Sequence, residues 1–242
     1  RAYAALTITI DGDASDWRPS GWVSPGGMGC PDPPTDKTAW LCCSQASPPR
    51  ECMLIWRDSP GENLPHADLF LSRIYTNGTR VLLLLNVTRT ASVTYTVRVK
   101  LNTSNNVGHV IDLSIDIKTV KGSPTLTLES ANYSYWVSGQ SQSSKVITDN
   151  VTFSGVISGS GYDVVEVGIP TRVLTDGIAG KVFDYSIEII VGDKKDGSQA
   201  IDGGQEHSYV RLAIDYAGYI SDAYFDATGI PVPVPEKGLV VA

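Results

Sequence analysis

The sequence predicts an all-β fold: an antiparallel β-sandwich of jelly-roll-like plan, carrying a disulfide-stapled irregular insertion. Three observations predict it. From residue 67 onward, short runs of alternating or continuous apolar residues recur, with Gly, Ser or Asn between them. Only Thr171 to Ala179 hints at a helical turn. All four cysteines fall inside one proline-rich stretch near the amino end, and the rest of the chain has none.

The elements follow in order. Leu6-Thr7-Ile8-Thr9-Ile10 alternates and reads as a strand. It runs into Asp11-Gly12, a turn signal, and Trp17 then closes back onto the core. Residues 18 to 65 hold nine prolines and are expected to be irregular, because proline cannot supply a regular ladder. Trp22, Trp40 and Trp56 give this segment its apolar mass. Asp68 to Tyr75 alternates, Asn77-Gly78 reads as a hairpin turn, and Val81 to Val87 is a continuous apolar run. Val93 to Leu101 alternates, with Val93, Tyr95, Val97, Val99 and Leu101 on one face. Val110 to Ile117, Thr125 to Leu128, Tyr133 to Val137, Val151 to Ile157 and Val164 to Ile169 follow. Phe183 to Val191 and Tyr209 to Ile214 close the series. Residues 1–228 are expected to form one domain. Residues 229–242 read as a stiff, extended tail with prolines at 231, 233 and 235.

Cys30, Cys42, Cys43 and Cys52 suggest two disulfides, with Cys30 bonded to one of the adjacent pair and Cys52 to the other. A bridge between neighbours in sequence is strained. Zinc needs thiolates in spaced pairs, and none occurs. Five of the eight asparagines stand in Asn-x-Ser/Thr acceptors: Asn77, Asn86, Asn102, Asn132 and Asn150. Composition alone accounts for roughly 1.4. Bridges and N-linked glycans together place the chain outside the cell. Arg1 suggests a mature end left by signal-peptide cleavage.

The net charge of −7 argues against nucleic acid, which needs a basic face. No run of 18 apolar residues offers a membrane span in this chain. No spacing matches a nucleophile elbow, a phosphate cradle or a metalloprotease motif. His66, His109 and His207 are scattered, so no catalytic residue is assigned. Asp11, Asp13 and Asp16 place hard oxygens in one turn and suit calcium. The loop from Asp193 to Gly197, with Asp202 and Glu206, is a second such place.

Ile10-Asp11-Gly12-Asp13-Ala14-Ser15-Asp16-Trp17, together with Tyr162-Asp163-Val164-Val165-Glu166-Val167-Gly168-Ile169-Pro170, resembles β-sandwich domains related to carbohydrate-binding module family 9 and the DOMON domains. The resemblance covers roughly residues 6 to 215 and implies a sandwich. The tail resembles the proline-rich spacer of archaeal surface proteins. The general plan is similar to archaeal filament subunits, which are glycosylated sandwiches joined by donor strands. The expected function is therefore a structural surface glycoprotein: a subunit of a filament, sheath or layer whose partner is its own copies. Leu239, Val240 and Val241 are the first choice for the exchanged segment, and Leu6, Ile8 and Ile10 the second. The alternative is a carbohydrate-binding module taking polysaccharide on Trp22, Trp40, Trp56, Trp136, Tyr133 and Tyr135.

Overall fold

The computed structural model describes residues 6–34, 38–45, 51–57, 67–89, 94–103, 110–120, 122–136, 142–159, 161–174, 178, 180–193, 198–202 and 210–224. The fold is all-β and its sheets are antiparallel. Sixteen strands are described: β1 Trp22–Ser24, β2 Gly27–Met28, β3 Thr38–Ser44, β4 Cys52–Arg57, β5 Ala67–Thr76, β6 Arg80–Arg89, β7 Thr94–Thr103, β8 Val110–Lys118, β9 Thr127–Trp136, β10 Ser143–Val146, β11 Thr152–Ile157, β12 Tyr162–Pro170, β13 Val182–Asp193, β14 Ser198–Asp202, β15 Val210–Ile214 and β16 Ile220–Tyr224. Sheet A runs β11-β12-β6-β5-β4-β3-β1-β2. Sheet B runs β10-β9-β8-β7-β13-β15-β16, with β14 also paired to β13. The chain passes from A to B between β6 and β7, back between β10 and β11, and again to B between β12 and β13. β12 then lies beside β6, and β13 beside β7.

The two sheets share one core. Leu54, Trp56, Leu69, Leu83, Leu85, Val165 and Ile169 of sheet A meet Tyr95, Val97, Leu113, Ile115, Ile187 and Leu212 of sheet B. The strict alternation read in β7 and β8 is explained by sheet B, whose other face is polar. There Arg98 Nε donates to Asp112 at 2.9 and 3.0 Å, and Ser130 Oγ donates to Asp116 at 2.6 Å. The continuous apolar runs belong to sheet A. Met53, Ile55, Leu71, Tyr75, Leu82 and Leu84 point away from sheet B, yet all are buried. Sheet A has a covered outer face, and a strand buried on both sides reads as an unbroken apolar run.

Three expectations change. The segment 18–65 supplies β1 to β4 and carries sheet A outward from β5. Its prolines stand outside those strands, so they punctuate the ladder without breaking it. The runs at 125–128 and 133–137 are not two strands but one, β9. Its Ser130, Asn132 and Ser134 face solvent while Ala131 and Tyr133 face the core. What read as a break was the alternation of a half-buried strand. Leu6 to Ile10 joins no ladder and is not a strand. The Asn77-Gly78 hairpin turn forms as expected: Asn77 N donates to Arg80 O at 3.3 Å. Gly78 takes φ +83°, and a Cβ there would stand 2.5 Å from the Ala217 carbonyl oxygen. Glycine is needed because the β15–β16 turn packs directly on it.

Two disulfides form, Cys30–Cys42 and Cys43–Cys52. Neighbours on a strand point to opposite faces. Cys42 therefore faces the outer layer and Cys43 the core between the sheets. Cys43 and Cys52 lie opposite each other in the β3–β4 ladder. This bridge thus sits in the main core and not in a satellite of it. Replacing Cys43 and Cys52 by serine is expected to cost about 2–3 kcal/mol through loop closure. The loosening should reach β5, and native-state hydrogen exchange measures it. Unchanged protection of β5 would mean that residues 18–65 are held independently of the sandwich core.

Candidate functional site

The site is the outer face of sheet A and the amino-terminal segment that lies across it. β12, held between β11 and β6, presents Glu166 on that face opposite Ser154 and Leu84. Glu166 is completely buried. Its Oε2 accepts from the backbone N–H groups of Asp11 (3.1 Å) and Gly12 (2.5 Å), and its Oε1 accepts from Trp17 Nε1 (2.7 Å). The two stretches that carry the family resemblance are thus in direct contact. Gly12 takes φ +92°, and a Cβ would lie 2.9 Å from Val156 of β11, so the turn must be glycine to come this close. Trp17 is fully buried beneath the segment, as its place in the sequence suggests.

Two further anchors complete the strap. Arg73 of β5 is 1% exposed. Its Nη1 donates to Trp17 O at 2.7 Å, and its Nη2 donates to Cys30 O at 2.9 Å and Asp32 Oδ1 at 2.5 Å. Asp32 also receives Arg18 at 2.7 Å. Glu51 Oε2 accepts from Leu6 N at 3.2 Å and from the Tyr75 hydroxyl at 3.1 Å. The strap forms no ladder because its N–H groups go to carboxylates: Leu6 to Glu51, Thr9 to Asp16 (2.6 Å), Asp11 and Gly12 to Glu166. Ile8 is buried, and Leu6 and Ile10 pack partly buried on the same face.

Burial pushes the Glu166 carboxyl above the usual carboxylate range. The hydrogen bonds from Trp17, Gly12 and Asp11 pull it back, and nearby Asp16 adds to the rise. Asp16 is itself raised, first by burial and then by Asp11 and Asp13, against the hydrogen bond from Thr9. Burial lowers the Arg73 guanidinium and Asp32 opposes that.

Of the calcium candidates, Asp16 Oδ2 accepts from Thr9 N at 2.6 Å, while its Oδ1 is buried without a hydrogen-bond partner. Asp11 Oδ1 accepts from Asp13 N, and Asp13 Oδ1 from Ser15 N, both at 2.9 Å. Among the described residues no group of three or more His, Cys, Asp or Glu is placed to hold a metal ion. The second acidic loop is only partly described, and His66, His109, His207, Leu239, Val240 and Val241 lie outside the described residues. Of the aromatic platform, Trp22, Trp40, Trp56 and Tyr133 are buried, Tyr135 is half-buried, and Trp136 is 39% exposed. The four buried rings are core, so the six do not assemble into one surface. Among the acceptors, Asn150 is exposed, Asn77 and Asn132 are half-buried, and Asn102 is placed opposite Val110 in β7. Asn86 departs from the expected outward position. It is 6% exposed under the outer layer, because its parity in β6 puts it on the covered face.

Sequence reasoning missed Glu51 and Arg73. The only signal was the unbroken apolar character of β4 and β6, which demands a third layer. Replacing Arg73 by Ala orphans the Trp17 and Cys30 carbonyls and leaves Asp32 with Arg18 alone. At least about 3 kcal/mol should be lost in urea titrations. Lysine should recover little, because it lacks the fork. Glu166→Gln leaves one acceptor oxygen for three donors and should cost about 1–3 kcal/mol. Its pH dependence follows from the raised carboxyl. Between the unfolded value, about 4.3, and the higher folded one, the folded chain keeps a proton that the unfolded chain has released. Glu166 therefore contributes stability that is fully present below the unfolded value and is lost as pH rises through the folded one. The gap between wild type and Glu166→Gln should narrow as pH rises. Thermal melts over a pH series check it, and a widening gap would show the opposite shift.

Comparison with family models, with curated proteins and with solved structures finds no match for this chain.

Proposed function

We propose that the chain is an extracellular structural glycoprotein, a subunit of a surface filament, sheath or layer. One observation carries the reading: three buried charges and four of the tryptophans are committed to cohesion. Glu51, Arg73 and Glu166 hold the chain's own backbone, and Trp17, Trp22, Trp40 and Trp56 fill the layers they bind together. The disulfides favour an oxidising compartment. In this reading subunits join by strand exchange, which makes an open, non-closing contact and hence a fibre. Leu6, Ile8 and Ile10 are engaged by their own sheet. The exchanged segment is therefore assigned to Leu239, Val240 and Val241. Burial of Trp22, Trp40, Trp56 and Tyr133 weighs against the carbohydrate-binding alternative.

Negative-stain imaging of the full chain tests the proposal, beside a version ending at residue 228. Fibres or sheets from the full chain, and dispersed folded monomers from the shortened one, are expected. A full-length monomer retained by a polysaccharide column would replace this reading with the alternative.

A further inference from the structure

The edges of the two sheets are treated differently. On sheet A, β11 is covered by residues 124–126: Leu126 N donates to Gly155 O at 2.8 Å and Ile157 N to Pro124 O at 3.0 Å. The opposite edge, β2, is two residues long. On sheet B, β10 ends the sheet and no described strand pairs with its outer side. All four of its residues are exposed, and Val146 is 75% exposed. An open edge with an apolar residue is a template for pairing with another chain. Lys145, opposite Tyr133 on the core-facing side, is one defence, since a charge there resists burial.

Two glycan acceptors stand at this edge. Asn132 lies directly opposite Val146 in the β9–β10 ladder, on the solvent face. Opposed residues place their Cβ atoms about 5 Å apart, so a sugar on Asn132 lies over Val146. Asn150 ends the 3-10 turn Thr148–Asn150, which follows β10 after Ile147, and it is exposed. We propose that glycans on Asn132 and Asn150 shield the β10 edge and keep it from pairing with a second copy of this chain. The inference rests on the reading of the chain as a secreted glycoprotein. It adds the division of labour that an assembling subunit needs, with one exchange allowed and stray edge pairing blocked. The modification transfers an oligosaccharide from a lipid phosphate-linked donor. The bond from sugar C1 to Nδ2 forms, the bond from C1 to the phosphate oxygen breaks, and the Nδ2 proton leaves with the lipid phosphate.

The test uses the full chain secreted by an N-glycosylating cell. Glycopeptide mapping is expected to find sugars on Asn132 and Asn150 and none on buried Asn86. Sedimentation velocity then compares wild type with the Asn132→Gln/Asn150→Gln variant. The variant should self-associate at about tenfold lower concentration, equivalent to about 1.4 kcal/mol. Adding Val146→Lys to it should restore wild-type behaviour. Ser134→Ala, which removes the Asn132 acceptor and leaves the asparagine, guards against a folding defect and should shift association in the same direction. Sugars present with association unchanged on their loss overturns the shield but not the glycoprotein reading. Bare Asn132 and Asn150 overturns the shield, and a chain bare at every acceptor overturns the glycoprotein reading with it.

Discussion

A buried carboxylate fixes where the third layer of this molecule sits. Glu166 sits on β12, next to the edge strand of sheet A, away from water, and its two oxygens meet two backbone N–H groups and one indole N–H from the amino-terminal segment. Removing a carboxylate from water is costly unless its hydrogen bonds are replaced. Here they are replaced only if Asp11, Gly12 and Trp17 arrive together. The face around it is apolar, so hydrophobic burial supplies the drive and the carboxylate supplies the register. Without it, an apolar segment over an apolar face could settle in many positions.

Arg73 performs the complementary task. A carboxylate takes donors from the strap, while a guanidinium takes carbonyls. Together they satisfy the backbone of a segment that has no sheet neighbour, and main-chain polar groups that are buried must be satisfied somewhere. Glu51 repeats the device at Leu6. The outer layer is thus made from side-chain anchors where most sandwich layers use strand pairing.

Much of the sandwich could be read from the residues. The alternation from Tyr95 to Leu101, the Asn77-Gly78 turn and the fold-back of Trp17 are local signals, and local signals suffice when a strand has one wet face. β10 escaped because Ser143 to Val146 is a polar edge strand with no apolar stripe to mark it. β1 to β4 escaped because proline density was averaged over residues 18–65, whereas each proline acts only at its own position. The strap anchors escaped for a different reason. Nothing local links Glu166 to Gly12 across 154 positions. Only the unbroken apolar runs of β4 and β6 announce that a further layer must exist, and they do not say which segment provides it.

Cys42 and Cys43 are neighbours in sequence that serve different layers. The β3 pleat sends one thiol toward the strap and the other toward the inter-sheet core. In a disordered chain either could capture Cys30. Once β3 pairs with β4, Cys43 is already opposite Cys52 and Cys42 alone faces the approaching loop. The parity of one strand thereby proofreads the oxidation. A mispaired isomer cannot coexist with the native ladder, so thiol exchange carried by folding itself drains such isomers toward the correct connectivity.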